Sequence, residues 1–275
     1  MRYIFPILLS LTLGVCLAEK PVYVVSIAPY KGLVQDIAGQ ECTVYSLLRE
    51  GQDPHSFEFK PSTVGILEKA SAYFTAGTEL EMEVRLLPRL KKQYLKISFI
   101  DTSKGIKLVN NNPHVWVSVL NLKIIAENIK KALISLQPDK KNIFEANYQK
   151  IEKRINEEYS SGNGNFASHK DDIFISYHPA FIYFATEFHL IEHSVEDYGR
   201  APSAKELQKL TSLVKENGIK GIVTRKGLNR GMLQAFIERN NLTVIELDHL
   251  SENYLEPLEI LINKLPKYLV PVHTK

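Results

Sequence analysis

Short apolar runs alternate with amphipathic stretches along this chain, and together they predict a series of strands and helices. The apolar run at 23–27 is typical of a buried parallel strand, and apolar residues within 30–38 then recur at helical spacing. A helix is predicted to open at Pro61, and further strands are predicted at 43–48, 71–76 and 96–100. Such alternation predicts an α/β fold with a mainly parallel sheet flanked by helices.

A long amphipathic helix is predicted in the middle of the chain. Pro138 breaks the helical pattern before it, and a single apolar stripe then follows at i, i+4, i+7, i+11 and i+15: Phe144, Tyr148, Ile151, Ile155 and Tyr159. The other faces are rich in Lys, Glu and Asn, and the glycine-containing segment 160–165 predicts the end of the helix. We interpret residues 137–162 as a glycine-free, rigid linker helix between two lobes, 19–136 and 163–275.

The second half of the chain repeats the alternation seen in the first. Strands are predicted at 173–176, 221–224 and 243–247, and helices at 179–188, 232–240 and 254–265. Ser203 and Glu206 form a capping box, which predicts that one more helix begins directly after Ser203. The expected architecture is therefore two α/β lobes, each with a mainly parallel sheet, joined by one long helix.

Composition and charge exclude two classes of protein. The 275 residues carry a net charge of only +3, without a clustered Lys/Arg face and interleaved aromatic residues, so nucleic-acid binding is not expected. The chain has two cysteines, Cys16 and Cys42, and Cys16 belongs to the N-terminal leader described next. Cys42 is then left without an intramolecular partner, which excludes a scaffold held together by disulfides.

The first 18 residues have the pattern of a secretory signal peptide. Arg2 supplies a positive charge, residues 4–15 are almost entirely apolar, and 16–18 form a small–x–small cleavage site. The apolar stretch is too short for a comfortable membrane span. Val15 is a poor residue to precede a lipidated Cys16, so we favour soluble export to the periplasm over lipid anchoring.

Three histidines lie beside prolines at the edges of predicted elements: His55 after Pro54, His114 after Pro113, and His178 before Pro179. Ligands of open α/β sheets bind beyond the carboxyl ends of the strands, where His55, His178 and Asp248 are all predicted to lie. Three imidazoles and one carboxylate complete a tetrahedral shell for a divalent metal such as zinc.

A simpler interpretation of these residues stays open. A single histidine is more often a surface or hydrogen-bonded residue than a metal ligand, and an aspartate at a strand end is often a helix N-cap. His249 could compete with the adjacent Asp248, and Glu58 and Glu246 are also close in sequence to strand ends.

The motifs around these residues resemble one known family, the metal-binding solute-binding proteins of ABC importers for zinc, manganese and iron (cluster A-I). The similar segments are Asp-Pro-His followed by Phe-Glu-Phe-Lys-Pro-Ser, Asn-Pro-His-Val-Trp-Val-Ser, Ser-Tyr-His-Pro-Ala-Phe-Ile-Tyr-Phe-Ala, Gly-Arg-Ala-Pro-Ser and Glu-Leu-Asp. They span nearly the whole chain after the leader. The resemblance implies a metal between two lobes, held by His55, His114, His178 and Asp248. It also implies delivery to a membrane permease, and we expect a monomer without enzymatic activity.

The resemblance also bears on which metal is carried. Zinc members of the family generally have His at the third ligand position, as His178 is here, whereas manganese and iron members tend to have Glu. The sequence departs from the family in three respects: it lacks the His- and acid-rich loop of many zinc members after His55, Asn112 replaces a more usual Asp, and the stretch 224–226 is unusually basic for its position.

Other functions fit the same residues. One is a manganese or iron carrier of the same family. Another is a zinc hydrolase in which His55, His114 and His178 leave a position for water and Glu58 acts as base, although the chain has no His-Glu-x-x-His motif. A third is an extracellular adhesin whose metal is structural.

Overall fold

The computed structural model describes residues 19–52, 57–196, 199–227 and 231–271. The elements of the first half are β1 (Val22–Ile27), α1 (Ala28–Ala38), β2 (Thr43–Leu48), α2 (Pro61–Lys69), β3 (Ala70–Thr75), α3 (Glu81–Gln93), β4 (Ser98–Asp101) and α4 (Val119–Leu136). Those of the second half are α5 (Lys141–Phe166), β5 (Ile173–Ser176), α6 (Ile182–Glu187), β6 (Ile191–Ser194), α7 (Ala204–Asn217), β7 (Gly221–Arg225), α8 (Gly231–Asn240), β8 (Thr243–Leu247) and α9 (Glu256–Lys264). None of the helices in these ranges is both long and apolar enough to cross a membrane.

Two parallel sheets of four strands confirm the predicted fold class. Their strand orders are β2-β1-β3-β4 and β6-β5-β7-β8, and each pair of neighbouring strands within them is parallel. In each sheet the first strand of the lobe, β1 or β5, is an internal strand. The second strand of the lobe lies on one side of it and the third on the other, so the strand order reverses at this point. Ligands bind at such reversal points, beyond the carboxyl ends of the strands.

A shared apolar core joins the lobes. One cluster of buried side chains includes Phe74 from the first sheet, Phe174 from the second and Leu258 from α9. A second cluster, with Ile222 and Phe236, lies within the second lobe alone. Because interiors are closely packed, a core common to both lobes opposes large movements of one lobe against the other.

The end of the long helix differs from the prediction. A short 3-10 helix at Pro138–Lys140 leads into α5, which continues through Gly162 and Gly164 to Phe166. The predicted end near residue 162, and the expectation of a glycine-free linker, are therefore wrong. Gly162 is required by packing, since a Cβ atom there would lie 2.5 Å from Cε1 of Phe188.

Two elements were not predicted from the sequence. The helix α3 contains Pro88, which is normally a helix breaker, and its buried Glu83 interrupts the apolar pattern. The strand β6 reads Ile-Glu-His-Ser and lies at the edge of its sheet, half exposed, so it lacks the apolar run of a buried strand. The capping box at Ser203 was predicted and is present, with both of its hydrogen bonds.

A carboxylate from the second lobe caps a helix of the first. Glu187, the last residue of α6, accepts hydrogen bonds from Ser118 Oγ (2.7 Å), the Val119 backbone N–H (2.9 Å) and the Leu120 backbone N–H (3.1 Å). These are donors that the start of α4 leaves without intrahelical partners. Burial raises the pKa of Glu187 from 4.5 to about 7, while the three donors act in the opposite direction.

We expect Glu187→Ala to destabilise the metal-stripped protein, and to do so more at pH 5 than at pH 8. A carboxyl group whose pKa is raised by folding stabilises the native state below its unfolded pKa, and this contribution is lost as the pH rises through about 7. The difference between the two pH values should be on the order of 1–2 kcal/mol in the free energy of unfolding. Urea unfolding at both pH values measures it. Glu157→Ala, at an exposed site on α5, serves as control, and an equal loss at both pH values for Glu187→Ala would contradict the account.

The two glycines near the end of α5 should respond oppositely to alanine. Gly162→Ala should cost about 1–3 kcal/mol, because the new methyl group overlaps the Phe188 ring. Gly164→Ala should be neutral or stabilise by up to about 1 kcal/mol, since the space around Gly164 is open and alanine favours a helix. Chemical unfolding of both variants tests this, and similar effects at both positions would refute the packing role of Gly162.

Candidate metal centre

Two of the predicted ligands meet between the lobes. His114 lies in the loop that leads into α4, and His178 lies two residues after the end of β5. Their Nε2 atoms are 3.0 Å apart, and the ring planes are nearly perpendicular at 82°. His114 is only 3% exposed, so this contact lies inside the protein.

The side chain of Asn112 determines which nitrogen of His114 carries its proton. Asn112 Oδ1 accepts hydrogen bonds from the backbone N–H and from Nδ1 of His114, both at 2.9 Å. An amide oxygen only accepts, so Nδ1 carries the proton and the neutral ring has its lone pair on Nε2. The amide group also donates from Nδ2 to the Pro179 carbonyl at 2.6 Å, which ties the loop of His114 to that of His178.

Glu196 orients His178 in the same manner. Its carboxylate accepts a short hydrogen bond from Nδ1 of His178, so that Nε2 is the nitrogen this ring directs at His114. Two lone pairs at this separation repel unless a proton on one Nε2 or a bound metal cation lies between them. Nitrogen ligands of tetrahedral zinc lie roughly 3.3 Å from one another, so the pair needs little movement to hold the ion through both Nε2 atoms.

His249 is the third imidazole of the cluster. Ligand nitrogens of His114, His178 and His249 lie within 4.8 Å of one another. The His249 ring is nearly parallel to that of His178, with centroids 5.8 Å apart, and the Trp116 indole N–H donates to the His249 carbonyl at 2.8 Å. Burial lowers the pKa of His249 well below its usual range, and the nearby His178 and Arg225 act in the same direction.

Of the other two predicted ligands, only Asp248 lies within the described residues, and it is not placed in this cluster. Asp248 is not among the three grouped residues: its Oδ1 accepts from the Leu250 backbone N–H at 3.0 Å, and its side chain lines a cavity of about 520 Å³ with Glu50 and Lys226. His55 falls outside the described residues. Both remain predicted ligands. Glu58, the base in the hydrolase alternative, is exposed.

Sequence reasoning missed the carboxylates that support the site. Glu192, on β6, accepts from Ser176 Oγ at 2.6 Å and from the Phe181 backbone N–H at 3.2 Å, and burial raises its pKa to about 7. It thereby links the residues on either side of His178. Glu192 lies within β6, and Glu196 lies in the turn after it. The only sequence signal for this pair of carboxylates was an acidic residue inside a short strand.

Comparisons with known proteins relate the whole fold to one family. Residues 24–267 match the family model for ZnuA, the periplasmic component A of a zinc-uptake complex. A crystal structure of ZnuA superposes with a TM-score of 0.83 at 27% identity, covering 91% of this chain and 99% of that one.

Curated relatives are named for two different metals. The zinc-binding lipoprotein AdcA of Streptococcus pneumoniae is 24% identical over 84% of this chain and 52% of its own length. The manganese ABC transporter substrate-binding lipoprotein scaA of Streptococcus gordonii is 30% identical over 42% of this chain and 41% of its own length.

Asn112→Ala should weaken zinc binding by about 10–100-fold without removing a ligand, because His114 loses the group that fixes its ring and its tautomer. The affinity is measured by competition with a chromophoric zinc chelator. Asn163→Ala, at an exposed site on α5, is the matched control. An unchanged affinity in Asn112→Ala would show that the hydrogen bonds of Asn112 do not prepare the site.

Proposed function

This chain belongs to the ZnuA family, zinc-uptake complex component A, and we propose on this basis that it captures Zn²⁺ outside the cytoplasmic membrane and delivers it to an ABC-type permease. The observation that carries the proposal is the pair of Nε2 atoms of His114 and His178, which face each other at 3.0 Å with their Nδ1 atoms held by Asn112 and Glu196. A pair of prepared imidazoles from two lobes suits an ion that must be bound and later released.

The chemistry of the cluster favours zinc among the metals that relatives carry. Imidazole suits zinc and other borderline metals, whereas manganese prefers carboxylate, carbonyl and water ligands. We propose His114 and His178 as ligands, with His55 and Asp248 as the further ligands that the sequence predicts. A manganese or iron carrier is the alternative within the family.

A carrier fits the site better than a hydrolase. Catalytic zinc needs a base near its bound water, and the exposed Glu58 lines a surface cavity with Tyr45 and Arg49 instead. Members of the matched family belong to an uptake complex, which agrees with capture and delivery.

The shared core and the cap formed by Glu187 oppose wide opening of the lobes. We therefore propose that release takes place through local movement of the ligand loops after the loaded protein docks on the permease. Export by the leader at residues 1–18 is part of the same proposal. Those residues lie outside the described ranges, and two relatives named above are lipoproteins, so a lipid anchor at Cys16 is the alternative.

Competition titration of stripped, full-length chain with Zn²⁺, Mn²⁺ and Fe²⁺ tests the proposal. One zinc should bind tightly, and His114→Ala and His178→Ala should each lower the affinity at least about 100-fold, since each removes a ligand rather than its support. His189→Asn, at an exposed site where asparagine tolerates the positive φ of 55°, should bind as the parent does.

Zinc affinity should fall as the pH drops from 7.5 to 5.5, because protons compete for each imidazole nitrogen that binds the metal. Repeating the titration across this range measures the effect. Tighter binding of manganese than of zinc would overturn the choice of metal, and no tight binding of any of the three ions would overturn the site.

A further inference from the structure

We propose that the first lobe carries a surface that docks on anionic phospholipid bilayers, formed by the exposed side of α3 and the segment after it. We call this surface the basic face, and its residues are Val84, Arg85, Arg89, Lys91, Lys92, Leu95 and Lys96. The partner is a bilayer with negatively charged headgroups, on which the protein lies without spanning it. This inference goes beyond metal carriage and does not depend on it, since none of these residues belongs to the metal centre.

The first support is a local concentration of positive charge. Residues 84–100 contain two arginines and three lysines, and no aspartate or glutamate. The net charge of the whole chain is only +3, so the overall composition conceals this cluster. Clustered Lys and Arg residues outside a membrane are attracted to the negative surface potential of anionic lipids.

The second support is that most of these charges have no partner within the protein. All five cations are exposed. Arg85 Nε lies 3.8 Å from Oε1 of Glu81, one turn earlier on α3. Arg89, Lys92 and Lys96 form no ion pair with a carboxylate of the described residues. Their charge is therefore available to a partner outside the chain.

The third support is the way α3 is seated on the lobe. Its exposed positions from 84 onward recur at i, i+1, i+4, i+5, i+7 and i+8, which places them on one side of the helix. Met82 and Leu90 lie on the opposite side and are buried in the core. The helix is thus fixed to the lobe through one side and presents its basic side to solvent.

The fourth support is the apolar part of the basic face, which favours a bilayer over other anionic partners. Leu95 is 84% exposed and Val84 is 60% exposed, and these are the two most exposed large hydrophobic side chains of the described residues. Surfaces that lie on membranes combine cations, which bind headgroups, with apolar side chains, which enter the boundary of the acyl region. Single-stranded nucleic acid would instead call for aromatic side chains on which bases stack.

Further lysines lie at the same edge of the first sheet. Exposed Lys20 precedes β1, and exposed Lys69 precedes β3 directly. The strand β3 lies between β1 and β4, and all three are parallel, so Lys96, which precedes β4, starts at that edge too. Glu19 and Glu68 are the acidic residues beside these lysines. Cations therefore predominate where the three strands begin.

This edge is also where the predicted leader joins the fold. Residues 1–18 precede Glu19, three residues before β1 begins. The metal centre lies beyond the opposite edge, at the carboxyl ends of the strands. Docking through the basic face would thus keep the carrier beside the membrane that holds its permease without covering the metal centre.

Co-flotation of the metal-stripped, full-length chain with lipid vesicles tests the inference. The vesicles contain phosphatidylcholine alone, or equal parts of phosphatidylcholine and anionic phosphatidylglycerol. One variant combines Arg89→Gln, Lys92→Gln and Lys96→Gln. The matched control combines Lys205→Gln, Lys209→Gln and Lys215→Gln, which removes the same charge from exposed positions of α7 in the second lobe. Every chain keeps its leader, so any binding through the leader is common to all of them.

The parent should bind the anionic vesicles far better than the neutral ones, and added salt should weaken that binding. The triple variant of the basic face should lose at least about 20-fold in partitioning, because each cation near an anionic surface changes the affinity about fivefold. The α7 control should stay within about threefold of the parent, since charges farther than a Debye length from the lipid are screened. Leu95→Ala should lose about fivefold, because less apolar surface enters the bilayer.

Circular dichroism and zinc titration of each variant separate this inference from the proposed function, because all variants should remain folded and bind zinc as the parent does. Equal losses in the basic-face variant and the α7 control would show that only net charge matters, and would overturn the inference. So would a parent that binds both kinds of vesicle equally. Tighter binding to soluble heparin than to the anionic vesicles, with no effect of Leu95→Ala, would assign the surface to an anionic polymer and overturn the choice of a bilayer.

Discussion

The site depends on one electrostatic constraint: the Nε2 atoms of two imidazoles can lie 3.0 Å apart only with a proton or a metal cation between them. Asn112 and Glu196 create that constraint by holding the proton of each ring on Nδ1. Each supporting group is itself placed by another part of the fold, Asn112 through the Pro179 carbonyl and Glu196 through the end of β6. The resulting pair of nitrogen ligands is prepared before any metal arrives.

The fold places these rings by bringing the ends of two parallel sheets together. Each sheet reverses its strand order at its first strand, and the carboxyl ends at those points supply the loops between the lobes. The shared core and the carboxylate of Glu187 hold the two lobes in one relative orientation. The helix α5 packs along both lobes, and its Phe166 contacts Phe188. Such a scaffold favours small loop movements over wide closure.

The sequence predicts the fold well because strand and helix periodicities are local, and the capping box at Ser203 is local too. It predicts the end of α5 poorly, since Gly162 is required by its packing against Phe188. No local pattern in the sequence reveals that contact. The carboxylate that supports His178 was missed because it follows an edge strand without an apolar run.

Long-range ¹H–¹⁵N correlation spectra of histidine side chains, recorded before and after one equivalent of Zn²⁺, test the central claim most directly. They distinguish the two ring nitrogens and report which one is protonated or bound to metal. The account predicts that zinc shifts Nε2 of both His114 and His178 while both Nδ1 atoms keep their protons. Zinc bound through Nδ1, or a shift confined to only one of the two rings, would contradict it.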